Sequence, residues 1–343
     1  MRPKIIRDQH IAERIVFLDG LTGTGKTMTG PVMGSLERVE LLRLEHTYEY
    51  LCALHDLGKL DHDAAASMLS MYADIACYNT MIARETNFRP KDLSGVFSNP
   101  GALTYLRRLL MKDGDAAMER IATERPILQV LTHNAMPVLR VAFDTFGDRL
   151  RVIEMVRHPL YLLQHGASYI ERHGTDVRDF TVWIEYNGHA LPWFAKGWEE
   201  LWLASSSADK VIHSLDWIVR RGAETIAGLT PEAAARVLEV PFEGFVLDPE
   251  TWVGRIAETI GTQRTPMTAR AMRAQKVPRA MVAAGPDKEI YRRYTFKAPE
   301  AGVTERSEYD ARYAWARANA STAALEMLDR MVTDYEAKWG RWF

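Results

Sequence analysis

Residues 14–28 read RIVFLDGLTGTGKTM. Ile15, Val16, Phe17 and Leu18 form a short apolar run of the kind that becomes a buried parallel strand. Gly20-Leu21-Thr22-Gly23-Thr24-Gly25-Lys26-Thr27 follows at once and fits G-x-x-x-x-G-K-[ST] at every fixed position. Its glycines let the backbone curl so that successive N–H groups point inward at phosphate oxygens. Lys26 is expected to reach the outer anionic group. Thr27 and Met28 open a helix whose positive end faces the same anion. A Gly/Thr-rich turn without a ligand would leave the lysine after the third glycine unexplained.

Outward from this loop, the chain has an ordinary globular composition. Of its 343 residues 47% are apolar and 26% charged, and the net charge is −2. That length suits one large α/β domain or two modest ones, and the even charge balance argues against a broad nucleic-acid footprint. Cys52 and Cys77 are the only cysteines and form no CxxC, which points to a reducing compartment. No apolar run reaches the roughly 18 residues of a membrane span, and the first residues lack a signal core. A cytoplasmic protein without a transmembrane segment is the expectation, with homo-oligomer formation left open.

Residues 32–54 carry apolar side chains at helical spacing and are expected to form one helix. This stretch and its end contain His46, His55 and Asp56, and the His-Asp pair before Gly58-Lys59 is similar to the motif of HD-type metal phosphohydrolases. The bland alternative is a helix ending near Leu57 with Gly58 as its left-handed cap. Residues 63–84 predict a helix with a methionine-rich core face, residues 87–100 a polar loop, and residues 103–111 and 115–123 further helices. So long a helical block reads as an insertion, residues 28–125, that covers the loop and shapes an acceptor pocket.

Residues 127–131 and 151–156 are the next strand candidates. They end in Thr132-His133-Asn134 and Arg157-His158-Pro159, with Pro159 opening a helix over 160–170. Strands alternating with helices imply a parallel sheet wrapped on both faces, and ligands of such sheets gather at the strand carboxyl ends. Residues 20–27, His133 and Arg157 should therefore meet at one edge. Residues 180–191 alternate around Asn187-Gly188, a type I′ hairpin signal. The following Trp193, Trp198 and Trp202 suit either an acceptor pocket, with Trp183 and His189, or the buried face of one helix. Residues 208–227 predict a helix and 236–240 a fourth strand. Asp248 and Pro249 cap a helix running to about Ile260. Arg264, Arg270, Arg273, Lys276 and Arg279 form either a solvated loop or a flap that closes over a phosphate. Residues 308–339 predict one long terminal helix.

Four of these pieces, in this order, resemble the sulfotransferases that use 3′-phosphoadenosine 5′-phosphosulfate (PAPS). They are the loop, Leu131-Thr132-His133, Val156-Arg157-His158-Pro159, and residues 240–249. The resemblance implies a three-layer P-loop α/β fold over residues 1–343, with a central parallel sheet, the helical insertion, and a C-terminal flap and helix over 262–343. It implies PAPS as donor, no metal, and a small-molecule or glycan acceptor. His133 would be the catalytic base, Lys26 would act in catalysis and donor binding, and Arg157 would hold the 3′-phosphate. His165 falls where the family has a serine, with Ser168 the nearest hydroxyl, and Arg279 falls in the segment that echoes the family's basic flap. The departures are specific. The family's lysine precedes its loop glycine, at the place Gly23 holds, whereas Lys26 follows the glycine as in nucleotide kinases. Taken alone the loop is similar to that of adenylylsulfate kinases, and Leu131 replaces the family's lysine before Thr-His. An ATP- or GTP-dependent small-molecule kinase, with Asp19 or Glu154 for Mg²⁺, and a nucleotide-binding module without catalysis are the competing expectations.

Overall fold

The computed structural model describes residues 3–90, 92, 94–173, 177, 179–285, 300 and 302–343. Its centre is a five-stranded sheet. The strands are β1 (Arg14–Gly20), β2 (Arg43–Leu44), β3 (Ile127–Leu131), β4 (Leu150–Val156) and, after the hairpin β5 (Trp183–Tyr186) and β6 (His189–Pro192), β7 (Val237–Pro241). The order across the sheet is β2-β3-β1-β4-β7 and every neighbouring pair is parallel.

Strand β1 is apolar on both faces because both faces are covered. Ile15 and Phe17 point into one core, with the helices Thr47–Asp56, His62–Met81 and Arg140–Phe146. Val16 and Leu18 point into the other, with Lys26–Met33, Phe242–Leu247, Pro249–Ile260 and Pro266–Ala274. The same alternation runs through β3 and β4, where Leu128, Val130 and Val152 face the first core and Ile127, Leu131 and Ile153 the second. The result is a three-layer α/β fold, as expected. Among the described residues no helix is long and apolar enough to cross a membrane.

Two helix expectations are corrected. The stretch 32–54 is not one helix. Lys26–Met33 stops at Gly34, the chain turns and supplies edge strand β2, and a new helix begins at Thr47. Long-range bonds hold the break open. Glu37 N–H donates to Gln263 O, Glu40 N–H donates to Ile127 O, and the buried Glu40 carboxylate takes both Nη groups of Arg108 at 2.6 and 2.9 Å. The terminal helix is also two, Glu305–Asn319 and Thr322–Trp339, divided where the Ser321 side chain caps the second. Residues 286–299 and 301 of the expected flap lie outside the described residues.

Candidate functional site

The carboxyl ends of β1, β3 and β4 bring three sequence-remote segments to one sheet edge. β1 runs directly into the glycine loop of residues 20–27. Gly20 has φ +131°, and a Cβ there would lie 2.3 Å from Met155 O on β4. Gly25 has φ +92° and would strike the Phe242 ring at 2.5 Å. Only glycine meets both conditions. Thr24 closes the turn, its hydroxyl donating to Leu21 O at 2.7 Å, and the helix Lys26–Met33 begins at once. Met28 and Thr29 N–H donate to Gly25 O at 2.9 and 3.0 Å, and the start of this helix gives the loop a positive end.

Lys26 is buried and folds back over the loop. Its ammonium donates to the carbonyls of Gly20 and Leu21, the latter at 3.0 Å. Burial pushes its amine down, opposed first by the charge of Asp19. Asp19, the penultimate residue of β1, is fully buried and committed to structure. Oδ1 accepts from Thr132 Oγ1 at 2.8 Å and Ala135 N–H at 3.1 Å, and Oδ2 from Met136 N–H at 2.8 Å. Those bonds shape the turn after β3 that presents His133. Burial beside Asp19 pushes the Glu154 carboxyl well up, toward the protonated form.

Arg157 follows β4 and lies on the other flank of the loop. Nη1 donates to Gly23 O at 2.7 Å, the guanidinium carbon sits 4.2 Å above the Phe242 ring centre, and Nε is 4.0 Å from Glu243. Arg279 lies over the same ring at 5.6 Å and donates to the sulfur of Met28 at 3.0 Å. Phe242 thus carries two cations, with the loop's Gly25 against its edge. His165, on the helix Leu160–Ile170, packs against Gly23. His158 belongs to the scaffold. It is fully buried among Tyr161, Tyr309, Tyr335 and Trp342, and burial lowers its pKa to about 4.

His133 lines a cavity of ≈ 320 Å³ with Leu21, Thr22, Tyr50, Tyr169, Phe180 and Trp193 among its walls. Its partner is a residue that sequence reasoning missed. Glu49 Oε2 accepts the main-chain N–H of His133 at 2.6 Å and lies 3.5 Å from its Nδ1, while Oε1 takes His46 Nδ1 at 2.6 Å. The two imidazoles stack with centres 5.1 Å apart and planes 18° from parallel, and Tyr50 also stacks on His46, at 5.8 Å. Burial alone would raise the Glu49 carboxyl, but the two histidines outweigh it and hold the group at about 2. Its hydrogen bond to Glu49 raises His46, whereas burial, helped by the nearby Lys26, lowers His133. A neutral His133 facing an ionised carboxylate carries its proton on Nδ1, which leaves Nε2 as the basic nitrogen.

Of the residues expected at the site, the loop (residues 20–28), His133, Arg157, His165 and Arg279 gather at this edge, and Trp193 lines the cavity. Two do not join them. His189 pairs with Tyr186 beside the Asn187-Gly188 turn, so it stands exposed at the hairpin tip. Trp183 packs on His173 at 5.1 Å and is not part of the cavity wall. The aromatic stretch after the hairpin is a 3₁₀ turn, Trp193–Ala195, and a separate helix, Glu199–Ala204, so Trp193, Trp198 and Trp202 are not the buried face of one helix. Trp193 faces the cavity, while Trp202 packs on Phe194 and Trp198. The HD-type set is not assembled. His55 meets His62, and Asp56 faces Arg221 at 3.5 Å. The signal for Glu49 was present as His46-x-x-Glu49, one helical turn apart, but nothing local linked it to His133.

The observed architecture is a parallel α/β sheet with a glycine loop at its carboxyl edge, the edge at which such sheets hold their ligands. No family model and no curated protein matches the chain. Among solved structures it is similar to the sulfotransferase domain of the Synechococcus PCC 7002 olefin synthase, with 14% identity, 96% of each chain covered and a TM-score of 0.40. It is also similar to a Mycobacterium avium sulfotransferase, with 13% identity, 97% of this chain and 78% of that chain covered and a TM-score of 0.44. A sulfotransferase from Alicyclobacillus acidocaldarius matches at 14% identity, over 96% of this chain and 100% of that chain, with a TM-score of 0.38.

Proposed function

We propose that the protein is a sulfotransferase that moves a sulfuryl group from PAPS to a hydroxyl or amine. The observation that carries this reading is Arg157. It is held on the loop through Gly23 O at 2.7 Å and stacked on Phe242, on the flank opposite His133. A donor whose 5′-phosphosulfate lies in the loop and whose 3′-phosphate reaches Arg157 uses both features. Phe242 and Arg279 then flank the nucleoside, with His165 against Gly23 of the loop.

In this mechanism the acceptor oxygen or nitrogen attacks sulfur, a new bond to sulfur forms and the bond from sulfur to the bridging phosphate oxygen breaks. His133 Nε2 takes the acceptor's proton. The leaving 3′-phosphoadenosine 5′-phosphate gathers negative charge at that oxygen. Lys26 exchanges its carbonyl partners for the donor, and the loop N–H groups add to the stabilisation. Thr22, Leu21 and the aromatic walls of the cavity border the reacting group, His46, Glu49 and Tyr50 bring the insertion, residues 28–125, to it as acceptor cap, and Arg279 brings the C-terminal flap-and-helix segment, residues 262–343, to the donor side.

A kinase needs a carboxylate for Mg²⁺ beside the loop. Both oxygens of Asp19 are already engaged, and Glu154 is driven toward its neutral form, so neither suits that task. The deciding experiment is thermal denaturation with 3′-phosphoadenosine 5′-phosphate, ADP and Mg·ATP. A ligand at a hundred times its Kd adds about 2.7 kcal/mol of apparent stability. The 3′,5′-bisphosphate is expected to stabilise most, without Mg²⁺. Stabilisation by Mg·ATP alone would replace this proposal with the kinase.

A further inference from the structure

His46, Glu49 and His133 do more than place one histidine. Among the described residues they form a group whose ligand atoms all lie within 4.8 Å of one another. His46 and Glu49 are one turn apart at the start of the helix Thr47–Asp56, and His133 comes from the end of β3 across the sheet edge. Both ring Nδ1 atoms turn toward the same carboxylate, at 2.6 and 3.5 Å. His133 Nδ1 is buried and has no hydrogen-bond partner closer than Glu49 Oε2 at 3.5 Å. Two imidazoles and one carboxylate are the donor types of a three-residue zinc site. A tetrahedral ion with bonds of about 2.1 Å sets its ligand atoms about 3.4 Å apart, which matches the 3.5 Å between His133 Nδ1 and Glu49 Oε2 and requires the 2.6 Å hydrogen bond of His46 to Glu49 to open as the ion enters. The cavity of ≈ 320 Å³ beside them provides an entry path and room for a fourth, non-protein ligand.

We infer that His46, Glu49 and His133 form a binding site for a divalent transition-metal ion of the zinc type, which switches the adjoining cavity between a basic and a blocked state. The ion takes the lone pairs of the two Nδ1 atoms and one carboxylate oxygen. The protons held on Nδ1 leave to solvent or move to Nε2. Each metal-bound neutral ring keeps its remaining proton on Nε2. His133 Nε2 is then an N–H donor and cannot accept a proton from an acceptor hydroxyl or amine. Oxygen-selective Mg²⁺ and Ca²⁺ are poor matches for a site with two imidazoles. Binding of the ion is independent of any reaction, whereas its inhibitory effect rests on the assignment of His133 as base.

The test is titration of the chelator-stripped full chain with Zn²⁺ by calorimetry, and with Co²⁺ by visible absorption. One equivalent is expected to bind, with the intense d–d bands of four-coordinate Co²⁺, and Mg²⁺ in excess is expected not to compete. Loss of a supporting outer-shell group weakens metal sites about 10–100-fold, so His46→Ala and Glu49→Gln, each removing a direct ligand, should weaken binding at least that much. Circular dichroism and the melting curve establish that these variants are folded. His46→Gln is a second variant if His46→Ala is not. His62→Ala, outside the group, should bind as the parent does. No stoichiometric binding, or binding unchanged in the folded His46 and Glu49 variants, overturns the site. With a working assay, Zn²⁺ should abolish transfer and chelation should restore it. Tight binding at these residues without inhibition would leave the metal site standing and remove His133 as the base.

Discussion

Replacing Arg157 with alanine separates a donor-recognising cation from a mere brace for the loop. The side chain is tied at three places, to Gly23 O at 2.7 Å, to the Phe242 face at 4.2 Å and toward Glu243 at 4.0 Å. It is thus ordered before ligand arrives, so little binding energy is spent in fixing it. A hydrogen bond to a charged group contributes about 1.5–3 kcal/mol net, and about 1.4 kcal/mol is a factor of ten in Kd. Arg157→Ala should therefore weaken 3′-phosphoadenosine 5′-phosphate about 10–150-fold. ADP, which lacks the 3′-phosphate, should bind parent and variant alike. The variant should fold, because the carboxyl of Glu243 is pushed up by burial and still accepts from Tyr335 Oη at 2.5 Å and His158 N–H at 3.2 Å. Arg157→Lys keeps the charge but loses the planar fork, and should fall between the two. Isothermal titration of both nucleotides against all three proteins measures this directly. Equal losses for the bisphosphate and ADP would refute the reasoning and make Arg157 a support for Gly23.

Three further outcomes follow from the same geometry. His133→Ala and His133→Asn should each lower kcat about 10²–10⁴-fold, the range of a positioned general base, with donor Kd nearly unchanged, measured by labelled-donor turnover and calorimetry. His158 is buried in neutral form with its pKa lowered to about 4 from 6.5, so between these values the unfolded chain binds more protons than the folded one. Stability should accordingly fall as pH drops from about 6.5 toward 4 and level off below, a contribution of about 3 kcal/mol at 1.36 kcal/mol per pKa unit. Urea denaturation across that range should show a shallower slope in His158→Gln. Arg108→Ala leaves the buried Glu40 carboxylate without its bidentate partner and should cost about 3–5 kcal/mol, whereas the double change Arg108→Met with Glu40→Leu should cost less than Arg108→Ala alone when both are unfolded in urea.

Features whose signals are local could be read from the chain directly. An apolar run before glycines and a lysine requires a strand, a tight turn and a helix, wherever the segment sits. The Asn187-Gly188 hairpin has the two positive φ angles, +50° and +83°, that those residues favour. Asp248 caps its helix through Thr251 N–H at 3.2 Å, with Pro249 at the first position. Strands β3 and β4 stood out because burial on both faces leaves few polar residues in them, and the part-buried edge strand β7 because Glu239 is the one charged residue in it. The break after Met33 was hidden, since residues 34–46 keep helical apolar spacing and yet turn after Gly34 and are tied at Glu37 and Glu40 to Gln263, Ile127 and Arg108, far along the chain. The site divides in the same way. The loop, His133 and Arg157 were legible because each directly follows a strand, and strand ends of a parallel sheet converge. Glu49 was not legible, because its bond to His133 spans 84 positions. Its role exists only once the helix Thr47–Asp56 packs across the end of β3, which is a property of the folded layers and of no segment alone.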